Sequence, residues 1–306
     1  MTTHISTIAL LLLVPALTWT TPSAGALRIT EENDSFVFSD DEYTQGLEVE
    51  YMTRWKDDKR TIYALRNQFY TPEDITVSEP QPKERPWAGL TALALRRQRR
   101  YTDYTRTLGL TVGALGEWSR SGDIQTWVHG VVGSKRPKGW RNQYKGGPAA
   151  NIDVLYIVPV ATHKLDGGLQ ADLALTGGAG VGNIYTYGET GVIARFGLHP
   201  PAHSSSTVSI SNLHRLSLYM FTRTGVKYVL YNHFISGSLF NGGPERDQVP
   251  VVADLQAGLA ARLRNAFNSR VDLGFKWAAT CRTLEYKQQD NLNVFGTLQI
   301  SIGTDF

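Results

Sequence analysis

Hydrophobic and polar residues alternate strictly through the last third of the chain. From Leu292 to Phe306 the even positions are Leu292, Val294, Gly296, Leu298, Ile300, Ile302, Thr304 and Phe306, while the odd ones include Asn293, Thr297, Gln299, Ser301 and Asp305. From Val271 to Cys281 the odd set is Val271, Leu273, Phe275, Trp277, Ala279 and Cys281, set against Asp272, Lys276, Thr280 and the flanking Arg270 and Arg282. Val251 to Leu263 repeats the pattern, with Val, Ala and Leu opposed by Asp254, Gln256, Gly258 and Arg262. A period of two over such lengths predicts strands with one apolar face, longer than the usual globular strand.

Reading the chain in this way predicts twelve strands: Leu27–Asp34, Tyr43–Trp55, Thr61–Tyr70, Trp87–Arg100, Thr102–Leu115, Ile152–Lys164, Leu169–Gly180, Tyr187–Leu198, Arg215–Ile235, Pro250–Arg264, Asn268–Arg282 and Asn291–Phe306. Arg215–Ile235 is read as one long, bulged strand, because Gly225 alone cannot close a two-residue hairpin. Alternation does not say whether the apolar face meets a protein core or lipid. Arg, Lys and Asp interleaved with Gly on the polar face point to a hydrated lumen, and so to an all-β, antiparallel up-and-down transmembrane barrel. Twelve is even, as single-chain bacterial barrels require. A soluble periplasmic sandwich is the competing architecture. If the N-terminus is periplasmic, the long connections after strands three and five, 71–86 and 116–151, fall on the outside, and four of the five inward turns are tight. The exception is His199 to His214, which contains Pro200-Pro201.

The N-terminus gives the compartment. Ile8 to Leu17 is an apolar core too short to span a bilayer, and Ala24-Gly25-Ala26 has the small-residue spacing of a cleavage site. Residues 1–26 are therefore expected to be a secretory signal, with 27–306 as the barrel. Across 306 residues the net charge is +3, which gives no sign of nucleic-acid binding. A mean hydropathy of −0.24 rules out a polytopic helical membrane protein. The lone Cys281 excludes a disulfide framework or a cysteine zinc site. No Gly-rich phosphate loop follows a predicted strand, so nucleotide chemistry lacks support.

Two places carry possible chemistry. Glu31-Glu32-Asn33-Asp34-Ser35 ends strand one, and Asp40-Asp41-Glu42-Tyr43-Thr44-Gln45-Gly46 opens strand two. Their carboxylate and amide oxygens are the donors Ca²⁺ recruits, although such residues also suit an ordinary polar turn. The second is His129. Ile124, Trp127, Val128, Val131 and Val132 recur at helical spacing, with Asp123 placed to cap the N-terminus and Gly133 to stop the helix. His129 lies off that stripe, one turn beyond Gln125, where an imidazole can serve as a general base near neutral pH. It falls in the connection after strand five, on the same rim as Asn33, Asp34 and Thr44. No Gly-x-Ser-x-Gly elbow is present to support a serine nucleophile.

Glu32-Asn33-Asp34, Tyr43-Thr44-Gln45-Gly46-Leu47, Arg85-Pro86-Trp87-Ala88-Gly89, Gln125-x-x-Val128-His129 and Gly139-Trp140-x-x-Gln143 occur in one order and spacing. In this the chain resembles the lipid A 3′-O-deacylase family of twelve-stranded outer-membrane barrels. The resemblance implies Ca²⁺-dependent hydrolysis of the 3′ ester-linked acyloxyacyl group of lipid A, the lipid part of lipopolysaccharide, in the outer leaflet of the outer membrane. By motif match Asn33, Asp34, Thr44 and His129 would be the catalytic set, with Asp34 on the metal and His129 taking a proton from water. The chain departs from the family pattern after Gln143, where Lys145-Gly146-Gly147 stand in place of an acidic residue, and no ligand role is carried to those positions. The alternatives are a non-catalytic barrel (a narrow pore or a surface binding protein) and an outer-membrane phospholipase.

Overall fold

The computed structural model describes residues 25–37, 45–201, 215–240, 242–266 and 271–303. Twelve antiparallel strands close into a barrel: β1 (Gly25–Asn33), β2 (Gln45–Thr53), β3 (Lys59–Tyr70), β4 (Ala88–Arg100), β5 (Thr105–Leu115), β6 (Gly147–Lys164), β7 (Leu169–Gly182), β8 (Tyr185–Leu198), β9 (Leu216–Asn232), β10 (Val251–Ala266), β11 (Val271–Arg282) and β12 (Asn293–Gly303). Each strand pairs with its sequence neighbours, and β1 closes the ring on β12 from Ala26↔Gly303 to Asn33↔Gly296. Closure satisfies every strand edge, which a sheet in hydrocarbon requires. The predicted leader lies outside the described residues except for Gly25 and Ala26, which open β1.

The alternation resolves into two environments. Leu93 and Leu95 of β4, Leu108, Leu110 and Val112 of β5, and Phe275 and Trp277 of β11 point outward and are exposed. Their neighbours Ala92, Ala94, Asp272, Lys276 and Ala278 point inward and are buried. Near the short-turn end, Tyr101 and Tyr104 stack at 4.4 Å and Tyr156 lies 5.8 Å from Tyr104, an aromatic cluster of the kind found at a bilayer interface.

The lumen is filled by paired charge. Arg96 of β4 reaches across to Glu48 (2.7 Å) and Glu50 (2.8 Å) of β2, and Glu50 also accepts from Arg28 (3.1 Å). Arg195 binds Asp172 at 2.8 Å, Arg262 binds Asp272 at 2.7 Å, and Arg282 binds Asp254 at 2.7 Å. Ions taken out of bulk water must be paired in this way. A cavity of about 150 Å³ remains toward the outer mouth, among Glu32, Glu189, Arg223, Lys227, Asp254 and Arg282. Side chains paired across the lumen in this way narrow it. A planar bilayer holding the protein should therefore show no open-channel conductance, and a stable conductance step at neutral pH would contradict that.

Several sequence expectations change in detail: β5 starts at Thr105 rather than Thr102, and β6 at Gly147 rather than Ile152. β9 runs unbroken through Gly225, but its bulge lies at Leu230, where the register against β8 shifts between Thr186 and Tyr187. It ends at Asn232 rather than Ile235. There the Asn232 side chain accepts from the Phe234 N–H (3.0 Å) and starts a helical turn. The helix carrying His129 begins earlier than expected: α1 spans Ser121–Val132, and α2 is the turn His233–Ser236. Asp123 is therefore not the N-cap. Arg120 takes that position in the left-handed region (φ 58), and the exposed Asp123 carboxylate pairs with its guanidinium at 2.7 Å. Gly133 stops the helix as expected, at φ 71, a conformation that costs glycine little.

α2 plants a histidine under the outer connections. His233 is buried against the rings of Tyr144 (5.0 Å) and Phe234 (5.7 Å), with the Tyr231 hydroxyl 3.5 Å from Nδ1. Burial pushes its pKa down to about 4 from the usual 6.5, because the imidazolium loses its hydration there. Between those values the unfolded chain binds the proton and the native chain does not, so stability falls as pH drops through that window. The full effect is about 3 kcal/mol. Unfolding in detergent at pH 7 and pH 4.5 should show this loss, and His233→Phe should remove most of the difference; equal pH sensitivity of the variant would disprove it.

Candidate active site

One end of the barrel carries the short turns 54–58 and 101–104, and the other carries the long connections 71–87, 116–146 and 233–250. The long-loop end holds the candidate residues. β1 delivers Asn33, its last residue, to this rim opposite Gly296 of β12. Asp34 follows at the head of a 3-10 turn, Asp34–Val37, whose Phe36 packs directly on Gly296. The turn is locked by Asn33, whose Oδ1 accepts from both the Ser35 N–H (2.9 Å) and the Ser35 hydroxyl. Asn33 and Asp34 are thus brought together, half-buried, at the top of the β1–β12 seam. Thr44 lies outside the described residues.

α1 sits on the same rim over β3 and β4. Its first residue and the 3-10 turn before it are bonded to the barrel: Asn67 of β3 donates to the Ser121 hydroxyl at 3.1 Å, and the Thr91 hydroxyl of β4 donates to the Ser119 carbonyl at 2.7 Å. Gly89 makes this approach possible, since a Cβ there would stand 2.4 Å from the Ser121 Oγ. One turn on, Gln125 is buried and accepts a 2.6 Å bond from the Trp140 indole. Trp140 in turn packs on Trp87 (5.1 Å between centroids) and Phe69 (5.8 Å). The Arg85–Gly89 and Gly139–Gln143 motifs are therefore the socket that seats the helix.

His129 stands on the same helix face, one turn beyond Gln125 and two beyond Ser121. Its Nδ1 lies 2.5 Å from the Lys135 carbonyl, which can only accept, so the neutral imidazole carries its proton on Nδ1 and presents Nε2 as the acceptor. The residue is half-buried, and its tautomer is the one a general base needs. The sequence spacing did not reveal the Lys135 carbonyl, because this partner is backbone brought round by the Gly133 stop.

The rim carries oxygen donors of the type a hard cation takes, without a closed ligand set among the described residues. Among the described residues no three His, Cys, Asp or Glu side chains converge as a metal cluster. The Asn33 amide oxygen accepts from Ser35, and Asp34 supplies the carboxylate of this turn. Carboxylate and amide oxygens suit Ca²⁺ rather than a thiolate- or imidazole-seeking metal.

The sequence motifs gave no role to Arg85 or Glu285, yet these two tie the rim together. Arg85, before β4, and Glu285, after β11, form an ion pair at 2.8 Å, both fully buried, with the guanidinium 4.0 Å over the Tyr70 ring. Arg246 reaches the same connection, donating to the carbonyls of Glu84 (2.7 Å) and Gln81 (2.9 Å). No local sequence signal marks a pair 200 residues apart.

A closed twelve-stranded barrel with outward aliphatic rows, a charged interior and a histidine-bearing rim defines an outer-membrane β-barrel protein. A family model described as "Outer membrane protein LpxR" matches residues 5–304, and the chain belongs to that family. This is the family to which the rim motifs pointed, and the protein is an outer-membrane protein. Among solved structures, "LpxR from Salmonella typhimurium" superposes with a TM-score of 0.77 at 15% identity, covering 91% of this chain and 99% of that one. At that identity the likeness shows the fold. The β domain of the Bordetella autotransporter BrkA also matches, with a TM-score of 0.47 at 10% identity over 92% of this chain and 99% of that one. Comparison with curated protein sequences gives no match.

Proposed function

We propose that this protein removes the 3′ ester-linked acyloxyacyl group from lipid A in the outer leaflet, and that residues 1–26 are its export signal. Family membership supports the substrate class, and the observation that carries the chemistry is His129 at the outer rim, its Nδ1 held by the Lys135 carbonyl.

In this reading Nε2 of His129 takes a proton from water as the water oxygen attacks the ester carbonyl. The Lys135 carbonyl, already bonded to the Nδ1 proton, stabilises the imidazolium that forms. Collapse of the tetrahedral species breaks the bond to the sugar oxygen, which leaves with the proton from Nε2. The products are a free 3′ hydroxyl and the acyloxyacyl carboxylic acid. Asp34 would hold Ca²⁺, assisted by Thr44, and Asn33 would orient the turn that presents Asp34. A bound Ca²⁺ would supply positive charge for the oxygen on which the negative charge develops. Lumen-side Arg and Lys near the mouth would hold the sugar phosphates.

The test is the rate of acyl release from lipid A in detergent with the purified barrel. Chelating divalent ions should abolish release and added Ca²⁺ should restore it, while Asp34→Asn should lower the rate about 10²-fold or more. Full activity in chelator, or an unimpaired Asp34→Asn protein, would refute the metal role.

A further inference from the structure

α1 is turned inside out relative to a helix that packs on a core. Its barrel-facing residues are the polar Ser121 and Gln125, and its apolar stripe points away from the protein. Trp127 is 63% exposed and Val131 49% exposed, and Trp118 on the preceding 3-10 turn is 62% exposed. Directly beyond the Gly133 stop come Lys135, Arg136 and Lys138, all exposed. Asp74, held ionised first by its bonds from Thr76 and then by Lys135 and Lys138, is one carboxylate beside these three cations.

Two observations identify what covers this face. The 3-10 turn with Trp118 begins at Gly116, where β5 ends, and the outward side chains of β5, Leu108, Leu110 and Val112, are part of the lipid-facing belt. The exposed segment therefore starts where a lipid-facing row of the barrel ends. The basic run follows at the polar end of the same element, where a leaflet presents phosphate. An apolar helix face with cations beside it is the pattern of an interfacial helix, and tryptophan favours that depth.

We propose that the segment from Trp118 to Lys138 is a membrane seat. Trp118, Trp127 and Val131 lie among the acyl chains of the outer leaflet, and Lys135, Arg136 and Lys138 lie on the phosphates of its anionic glycolipid. The seat does not depend on the deacylase reading. If that reading also holds, the seat fixes the depth at which His129, on the opposite face, meets an ester.

The test places a nitroxide at Val131→Cys, Lys135→Cys or the belt position Leu110→Cys, each in a Cys281→Ser background of the full chain in bilayers of phosphatidylcholine with lipid A. Collision with oxygen and with an aqueous nickel chelate is then measured. The label at 131 should favour oxygen, as at 110, and the label at 135 should favour the chelate. A label at 131 that favours the chelate, or that is shielded from both by a protein neighbour, would overturn the proposal. Removing the lipid A phosphates should move the 131 label toward water, and an unchanged depth would overturn the charge contribution. Should Val131→Cys fail to fold, quenching of Trp127 by brominated lipid, read as wild type minus Trp127→Phe, decides the same point: quenching supports the seat and its absence refutes it.

Discussion

Replacing His129 with alanine is expected to slow lipid A deacylation by about 10²–10⁴-fold while leaving the barrel folded. The helix is seated by its other end, through Asn67 to Ser121 and Trp140 to Gln125, so removing the imidazole breaks the Lys135 contact without unseating α1. His129→Gln retains an amide able to donate to Lys135 but offers no base, and should be as slow as alanine. Initial rates of acyl release from purified protein decide this. A variant that keeps about a tenth of the wild-type rate or more would remove His129 from the chemistry.

The largest effect on stability is expected at Arg85 and Glu285. Each is buried: removing Glu285 takes away the carboxylate that Arg85 binds, and removing Arg85 leaves Glu285 only the longer contact to Arg282 at 3.8 Å, so breaking the pair from either side costs about 3–5 kcal/mol. Glu285→Met and Arg85→Met should each show that loss in denaturant unfolding, whereas the double variant should fall near the wild type because no lone ion remains. Single variants within about 1 kcal/mol of wild type would mean the pair behaves like an exposed surface bridge. Acid attacks the same contact. Burial alone would raise the Glu285 carboxyl, but Arg85 and Arg282 beside it hold it below its usual 4.5. Its contribution is therefore intact above that value and is lost as pH falls below it. His233 weakens the same rim at higher pH, from 6.5 downward, so the outer connections should loosen in two stages.

The barrel was legible because each strand separates the same two media along its length. Residues such as Phe275 and Trp277 must tolerate lipid, while Asp272 and Lys276 must find partners in the lumen. Strand ends were less legible, since the constraint stops at the rim. Phe234 and Ile235 are buried and apolar, as a strand residue would be, yet Asn232 has already turned the chain. Helical spacing correctly located α1, but it says only that two faces differ. At a membrane rim the apolar face can be the outer one, and here Gln125 and Ser121 turn inward to bonds with Trp140 and Asn67. The Asn33–Asp34 turn and the His129 helix share the rim that strand parity assigned to them. The Lys135 carbonyl, the Trp87–Trp140 socket and the Arg85–Glu285 pair depend on contacts between separate connections, which no local pattern records.

The central claim is that the rim of this barrel cleaves the 3′ ester of lipid A, and the most direct measurement is the mass spectrum of lipid A from cells producing the protein. The account predicts a new species lighter by the 3′ acyloxyacyl group, with glycerophospholipids unchanged. Intact lipid A alongside a folded, membrane-inserted barrel supplied with calcium, or release of lysophospholipid in its place, would contradict it.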